Sequence, residues 1–114
     1  MLALTLIGRV LFAGYFLYSG ISHFTNGKGL AGYAKSKGIP AAELAVMGTG
    51  VLLIVGGAGL LLNTYVQESL VLLLIFMVPT TFAIHAFWKQ GHEAEKIGFM
   101  KNLALIGALL MFLY

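Results

Sequence analysis

The chain has no cysteine, only two prolines and few charged residues among its 114 positions. The lack of cysteine excludes disulfides, thiol catalysis, Fe–S clusters and cysteine-ligated metal sites. Charged residues make up 10% of the chain, whereas a soluble domain carries about 25%. Because 60% of the residues are hydrophobic and the mean hydropathy is +0.94, a soluble globular domain and a disordered chain are both excluded.

Four apolar blocks cover about residues 2–22, 41–62, 65–88 and 98–114. Each is close to the ~20 residues that a helix needs to cross a ~30 Å hydrocarbon core. The backbone must satisfy its own hydrogen bonds in lipid, and the alternation of period two that a barrel requires is not seen in this sequence. The sequence therefore predicts an all-α integral membrane four-helix bundle, with residues 1–114 forming one domain. The first block is expected to be a span and not a cleaved signal peptide, because it lacks a basic start and a small-residue cleavage site.

The three connections differ in length and composition. Asn63 and Thr64 predict a tight turn, and residues 89–97 form a short charged loop. Residues 23–40 are longer and rich in glycine. Within them Leu30, Tyr33, Ala34 and Lys37 follow a helical spacing, which is typical of a short helix lying on the membrane surface. An irregular loop is the alternative, and the spacing does not decide between the two.

The basic residues indicate the orientation in the membrane. Six lysines lie in or beside the 23–40 and 89–97 loops: Lys28, Lys35, Lys37, Lys89, Lys96 and Lys101. The positive-inside rule then predicts a multi-pass protein of the cell membrane, with both loops cytoplasmic and both termini outside. The net charge of +3 forms no basic stripe, so a nucleic-acid partner is not expected. The expected partners are the lipid bilayer, further copies of the chain or a membrane redox protein.

Helix direction alternates along the chain, so polar residues can be sorted by depth. Six of them reach the level of the two basic loops: His23, Glu43, His85, Trp88, Lys101 and Asn102. Ionisable groups at such depth usually face the bundle interior and pair with one another. This layer is therefore the candidate ligand-binding site, with His85 as hydrogen-bond donor and Trp88 as stacking wall. The alternative is that these side chains extend to the lipid head groups. No catalytic residue and no metal site is predicted.

Two charged residues lie near the opposite end of the predicted spans. Arg9 is about two turns from the start of the first block, and Glu68 begins the third. A structural ion pair between them would neutralise both charges, and an anion site at Arg9 is the alternative.

Small residues indicate close helix packing. Ala45, Gly48, Leu52, Gly56 and Gly59 follow a helical spacing that predicts a small-residue face. The sequence leaves open whether that face packs within one protomer or between protomers. Pro79 is expected to kink the third span, which would open a cavity near His85.

Ordered motifs along the chain resemble those of the DoxX family of small four-helix membrane proteins. The stretches that carry the resemblance are Gly8–Phe12, Gly20–Phe24, Tyr33–Pro40, His85–Trp88 and Met100–Gly107. Many members have a glutamate before a glycine pair early in the second helix. Here that stretch reads Met47-Gly48-Thr49-Gly50, and the nearest acid is Glu43, one turn earlier.

The resemblance implies more about fold than about activity. The family's namesake is linked to an archaeal thiosulfate:quinone oxidoreductase, in which related chains are membrane subunits. This implies a membrane partner or anchor subunit of a redox system that is not expected to be an enzyme alone. The alternative is a subunit that binds a quinone or a lipid at the loop-side end of the bundle. Two further alternatives are a haem held by His23 and His85, and a metal site from these residues, His92 and the loop acids.

Overall fold

The apolar blocks form long helices, as expected for segments whose side chains face lipid and whose backbone must satisfy itself. The computed structural model describes residues 2–84 and 95–113. Within these ranges lie five helices: α1 (Leu2–Thr25), α2 (Gly27–Ser36), α3 (Ala42–Leu61), α4 (Val66–Ile84) and α5 (Lys96–Phe112). The all-α prediction is confirmed for the described part of the chain. The predicted end of the third span at residue 88 lies outside it.

Three of the described helices, α1, α3 and α4, are long and apolar enough to cross a membrane. The fourth predicted span, α5, has 17 residues. At ~1.5 Å per residue it is about 25 Å long, which is shorter than the ~30 Å hydrocarbon core. The prediction of a membrane protein is confirmed. The simple four-helix bundle needs a correction, because α2 is an additional helix in the described chain and α5 is short.

The 23–40 segment contains the helix that the sequence left undecided. α2 ends where Gly38 adopts a left-handed backbone with φ of +86°. The Gly38 amide donates to the Lys35 carbonyl at 3.0 Å, and the Ile39 amide donates to the Ala34 carbonyl at 3.1 Å. These two bonds form a Schellman motif, and Ile39 packs in the same apolar cluster as Ala34. Pro40 follows and cannot continue the helix, so the chain turns into α3.

The glycines of α3 bring it close to both of its neighbours within one chain. A Cβ atom at Gly50 would lie 2.8 Å from His23 Cβ, and one at Gly57 would lie 3.0 Å from Leu17 Cγ, so both glycines face α1. Gly56 and Gly59 face Leu73 and Ser69 of α4. Gly48, which the sequence placed on the packing face, is exposed with nothing within 4 Å of its Cβ position. Four glycines of α3 therefore pack within the protomer.

Helix α1 packs on α3, α3 packs on α4, and α4 packs on α5, while α2 packs against α3. The main core lies between α1, α3 and α4 and includes Phe16, Leu53, Leu73 and Met77. Side chains of α1 and α5 meet between the rings of Phe12 and Phe112 and between Tyr15 and Lys101. We call this line the α1–α5 seam, and it leaves a cavity at each end of the bundle.

Candidate functional site

A cavity of about 410 Å³ lies where α1 ends and α3 and α5 begin, and all five described helices contribute to its wall. We call it the central cavity. Its volume falls in the roughly 300–1,000 Å³ range of small-molecule sites. Its polar wall consists of Tyr15, Ser19, His23, Tyr33, Thr49, Thr80, Lys101 and Asn102. Three of the residues predicted for the ligand layer, His23, Lys101 and Asn102, are thus brought together.

His23 is held by α3 on one side of the central cavity. Its Nδ1 lies 2.9 Å from the carbonyl oxygen of Val46 and 3.1 Å from Thr49 Oγ1. The imidazole ring also packs edge-on against Phe76, with 5.7 Å between ring centroids. His23 can lie this close to α3 because Gly50 has no side chain at the point where α1 and α3 meet.

The contacts of His23 determine its tautomer. The Val46 carbonyl can only accept a hydrogen bond, so Nδ1 must carry the hydrogen. The Thr49 hydroxyl donates to the Ala45 carbonyl at 2.7 Å and is free to accept from the ring. In the neutral imidazole Nε2 therefore keeps a lone pair. His23 can accept a hydrogen bond through Nε2, or donate one there when it is protonated.

Asn102 supplies the other central group of the cavity. Its side chain is only 5% exposed, and it makes no hydrogen bond with any residue that the structure describes. Leaving a buried amide without partners costs about 1–3 kcal/mol. A buried polar group without a partner, on the wall of a cavity, is typical of a site that a ligand or water completes.

Lys101 and Tyr15 close the side of the central cavity along the α1–α5 seam. Lys101 Nζ donates to the Tyr15 hydroxyl at 3.2 Å and lies 5.3 Å from the centre of the ring. Both residues are exposed. A lysine in such a position can keep its ammonium group in a polar environment while its stem covers apolar surface.

An ion pair joins the end of α2 to the start of α5. Lys37 Nζ lies 2.8 Å from a carboxylate oxygen of Glu95, and their side chains are 8% and 17% exposed. The Tyr33 hydroxyl donates to the same carboxylate. Because Tyr33 also lines the central cavity, this contact holds α2 against the side of the site.

The remaining predicted ligand residues are not part of the described cavity wall. Glu43 is exposed and lines a separate pocket with Lys28 and Lys35. It lies one residue, about 100° around the helix, from the buried Ala42. His85 and Trp88 lie outside the described residues, and so does His92. Among the residues that are described, no group of three His, Cys, Asp or Glu side chains could hold a metal ion.

Arg9 lines a second cavity of about 510 Å³ near the turn between α3 and α4. Its Nη1 donates to the carbonyl oxygen of Leu60 at 2.9 Å. Glu68 is exposed, and the predicted ion pair between these two described residues is not formed. The difference has a simple physical reason. The Leu60 carbonyl in the last turn of α3 accepts from the Asn63 amide at 3.2 Å and keeps a second lone pair for the guanidinium.

A family model for DoxX matches residues 4–86, which is well over half of the chain. The chain belongs to the DoxX family. The resemblance seen in the motifs is thereby confirmed over α1–α4, while Lys101 and Asn102 of this DoxX chain lie beyond the matched residues. Among curated proteins and among solved structures, none matches the chain significantly.

Several wall residues of the DoxX chain were not predicted, although two signals in the sequence could have found them. Tyr15, Ser19 and His23 are spaced four residues apart and form one polar stripe on α1. Thr49 is a hydroxyl residue between two glycines of an apolar helix. Sorting by depth selected His23 but omitted Tyr15, Ser19 and Thr49, which lie further from the loop-side ends of their helices.

Proposed function

We propose that this protein is a quinone-binding membrane subunit of a redox system and that the quinone head group occupies the central cavity. The observation that carries the proposal is the buried Asn102 amide, which has no partner among the described residues and lies on the wall of an apolar site of suitable size. A ligand with a polar head and an apolar body would satisfy this amide.

The donor and acceptor set fits both redox forms of a quinone. The Asn102 amide nitrogen can donate to a quinone carbonyl, and its oxygen can accept from a quinol hydroxyl. His23 adds an acceptor at Nε2 when neutral and a donor when protonated. The aromatic rings of Tyr15, Tyr33 and Phe76 add flat apolar surface to the same wall. His85 and Trp88 remain predicted contributors.

Quinone binding and the predicted anchor role are compatible. A chain without cysteine carries no thiol or Fe–S centre of its own, so a quinone in this cavity would exchange electrons with a redox partner. Assembly with that partner, self-association and the cytoplasmic placement of the two loops all remain predictions from the sequence.

The proposal predicts opposite effects of Asn102→Leu on binding and on stability. Titrating a short-chain ubiquinone analogue into the protein in lipid nanodiscs, followed by quenching of its single tryptophan, measures binding. Loss of the amide is expected to weaken binding about tenfold, which corresponds to one hydrogen bond in a buried site. Without ligand, the variant is expected to melt at a higher temperature, since an unpartnered buried amide is removed.

Thr81→Val is the matched control for this experiment. Thr81 is fully buried and donates to the Met77 carbonyl of its own helix at 2.6 Å, and it does not line the central cavity. This variant should bind the analogue like the wild type. Equal quinone binding by wild type and Asn102→Leu would refute the proposal. If a diacylglycerol displaced the analogue at a similar concentration, the ligand of the central cavity would be a lipid and not a quinone.

A further inference from the structure

The cavity at the other end of the α1–α5 seam has a different chemistry. We call it the turn-side cavity. Its volume is about 510 Å³, and its wall includes the apolar residues Phe12, Leu60, Ala108 and Phe112. Arg9 and Asn63 are among its few polar residues. The site thus combines one full positive charge with a long apolar surface.

The charge of Arg9 lacks a carboxylate partner. In residues 2–84 and 95–113 no acidic side chain lies within 4.0 Å of the guanidinium. One of its five N–H groups is occupied by the Leu60 carbonyl. That carbonyl belongs to the last turn of α3, whose partial negative charge offsets only part of a full cation. The other four N–H groups have no hydrogen-bond partner among the described residues, so they remain to bind an anion.

The depth of Arg9 matches the level of lipid phosphates. α3 has 20 residues, so at ~1.5 Å per residue it spans about 30 Å, the thickness of the hydrocarbon core. Leu60 lies in its last turn, and the exposed residues Asn63 and Thr64 follow directly. The Arg9 guanidinium, at 2.9 Å from Leu60, is therefore at the boundary between acyl chains and head groups.

We propose that the turn-side cavity binds one anionic phospholipid, with its phosphate on the Arg9 guanidinium and an acyl chain along Phe12, Ala108 and Phe112. A guanidinium binds phosphate through paired N–H groups. Free phosphate offers the same head chemistry, but the apolar wall favours a lipid. The site is independent of the central cavity and of quinone binding.

Defined lipids test this site directly. The purified protein is mixed in mild detergent with phosphatidylglycerol, with phosphatidylcholine or with inorganic phosphate, and retained lipid is counted by native mass spectrometry. Phosphatidylglycerol should be retained at least tenfold better than phosphatidylcholine, and inorganic phosphate should not displace it. Arg9→Gln should remove this preference, whereas Arg9→Lys should keep part of it because the positive charge remains.

A second variant tests the cavity without touching the charge. Gly8 lines the turn-side cavity, and nothing lies within 4 Å of its Cβ position, so Gly8→Leu is expected to place its side chain in this space. Gly14→Leu is the control, because Gly14 is equally open but lies outside that cavity. Gly8→Leu should lose phosphatidylglycerol at least tenfold and Gly14→Leu should retain it. Equal retention of both lipids by the wild type, or unchanged retention in Gly8→Leu, would overturn the proposal.

Discussion

The two ends of the α1–α5 seam differ in how their polar groups are satisfied. At the central cavity His23 is fixed by Val46 and Thr49, while the neutral Asn102 amide has no partner in the described chain. At the turn-side cavity a single cation, Arg9, is held by one helix carbonyl. The first end offers neutral hydrogen-bonding groups and the second offers one positive charge. A chain with few charges thus has two cavities of different chemistry.

The largest expected effect distinguishes two glycines that are only two residues apart on α3. A methyl group at Gly50 would lie 2.8 Å from His23 Cβ, which is bonded directly to the α1 backbone, and 2.8 Å from Cε2 of the exposed Phe24 ring. Gly50→Ala is therefore expected to cost about 1–3 kcal/mol of unfolding free energy, as other overpacked sites do. Thermal unfolding in detergent, read by circular dichroism, measures the change.

Gly48→Ala is the matched control, since its Cβ position is open and alanine favours helix over glycine. Its melting temperature should equal or exceed that of the wild type. Equal melting temperatures of Gly50→Ala and Gly48→Ala would show that the fold around the central cavity does not depend on the close approach of α1 and α3 at His23.

Much of the fold could be predicted because lipid imposes strong rules on sequence. The apolar blocks predicted α1, α3 and the start of α4 to within a few residues. The end of α2 can be read from Gly38, Ile39 and Pro40. What the sequence left undecided was whether residues 23–40 contain a short helix or form an irregular loop. Ala31 and Ala34 of α2 are buried against α3, and only tertiary contact stabilises so short a helix.

The sequence predicted how far along each helix the site residues lie, but not the direction in which they point around the helix axis. Depth follows from counting residues along a helix, so the sequence alone assigns His23, Lys101 and Asn102 to one level. The angle around the helix axis depends on which neighbours pack there, and a helix that is apolar all round does not reveal it. For that reason Glu43 was placed in the layer although it is exposed beside Lys28 and Lys35. The same uncertainty led to the Arg9–Glu68 pair.

A smaller effect is expected from the contact that holds α2 at the central cavity. Lys37→Met and Glu95→Gln each remove the ion pair. A double-mutant cycle should give a coupling energy of about 1 kcal/mol or more, because the two side chains are only 8% and 17% exposed and water screens them less than a fully exposed pair. Hydrogen exchange should become faster over residues 27–36 in Lys37→Met and stay unchanged over residues 42–61. Lys35→Met, which removes an exposed lysine of the same helix, is the control. Unchanged exchange in α2 would show that apolar packing alone holds this helix in place.

The smallest effect should come from the second cation of the seam, Lys101. Its contact with Tyr15 is exposed, and an exposed cation–π pair contributes roughly 0.5–1 kcal/mol. Lys101→Met keeps most of the apolar stem, so its melting temperature should fall slightly and stay close to that of Lys28→Met, an exposed lysine outside both cavities. Phosphatidylglycerol retention should also be unchanged, because the Lys101 ammonium is at the opposite end of the seam from Arg9. A loss of that lipid in Lys101→Met as large as in Arg9→Gln would mean that net charge, and not the geometry of the turn-side cavity, selects the anion.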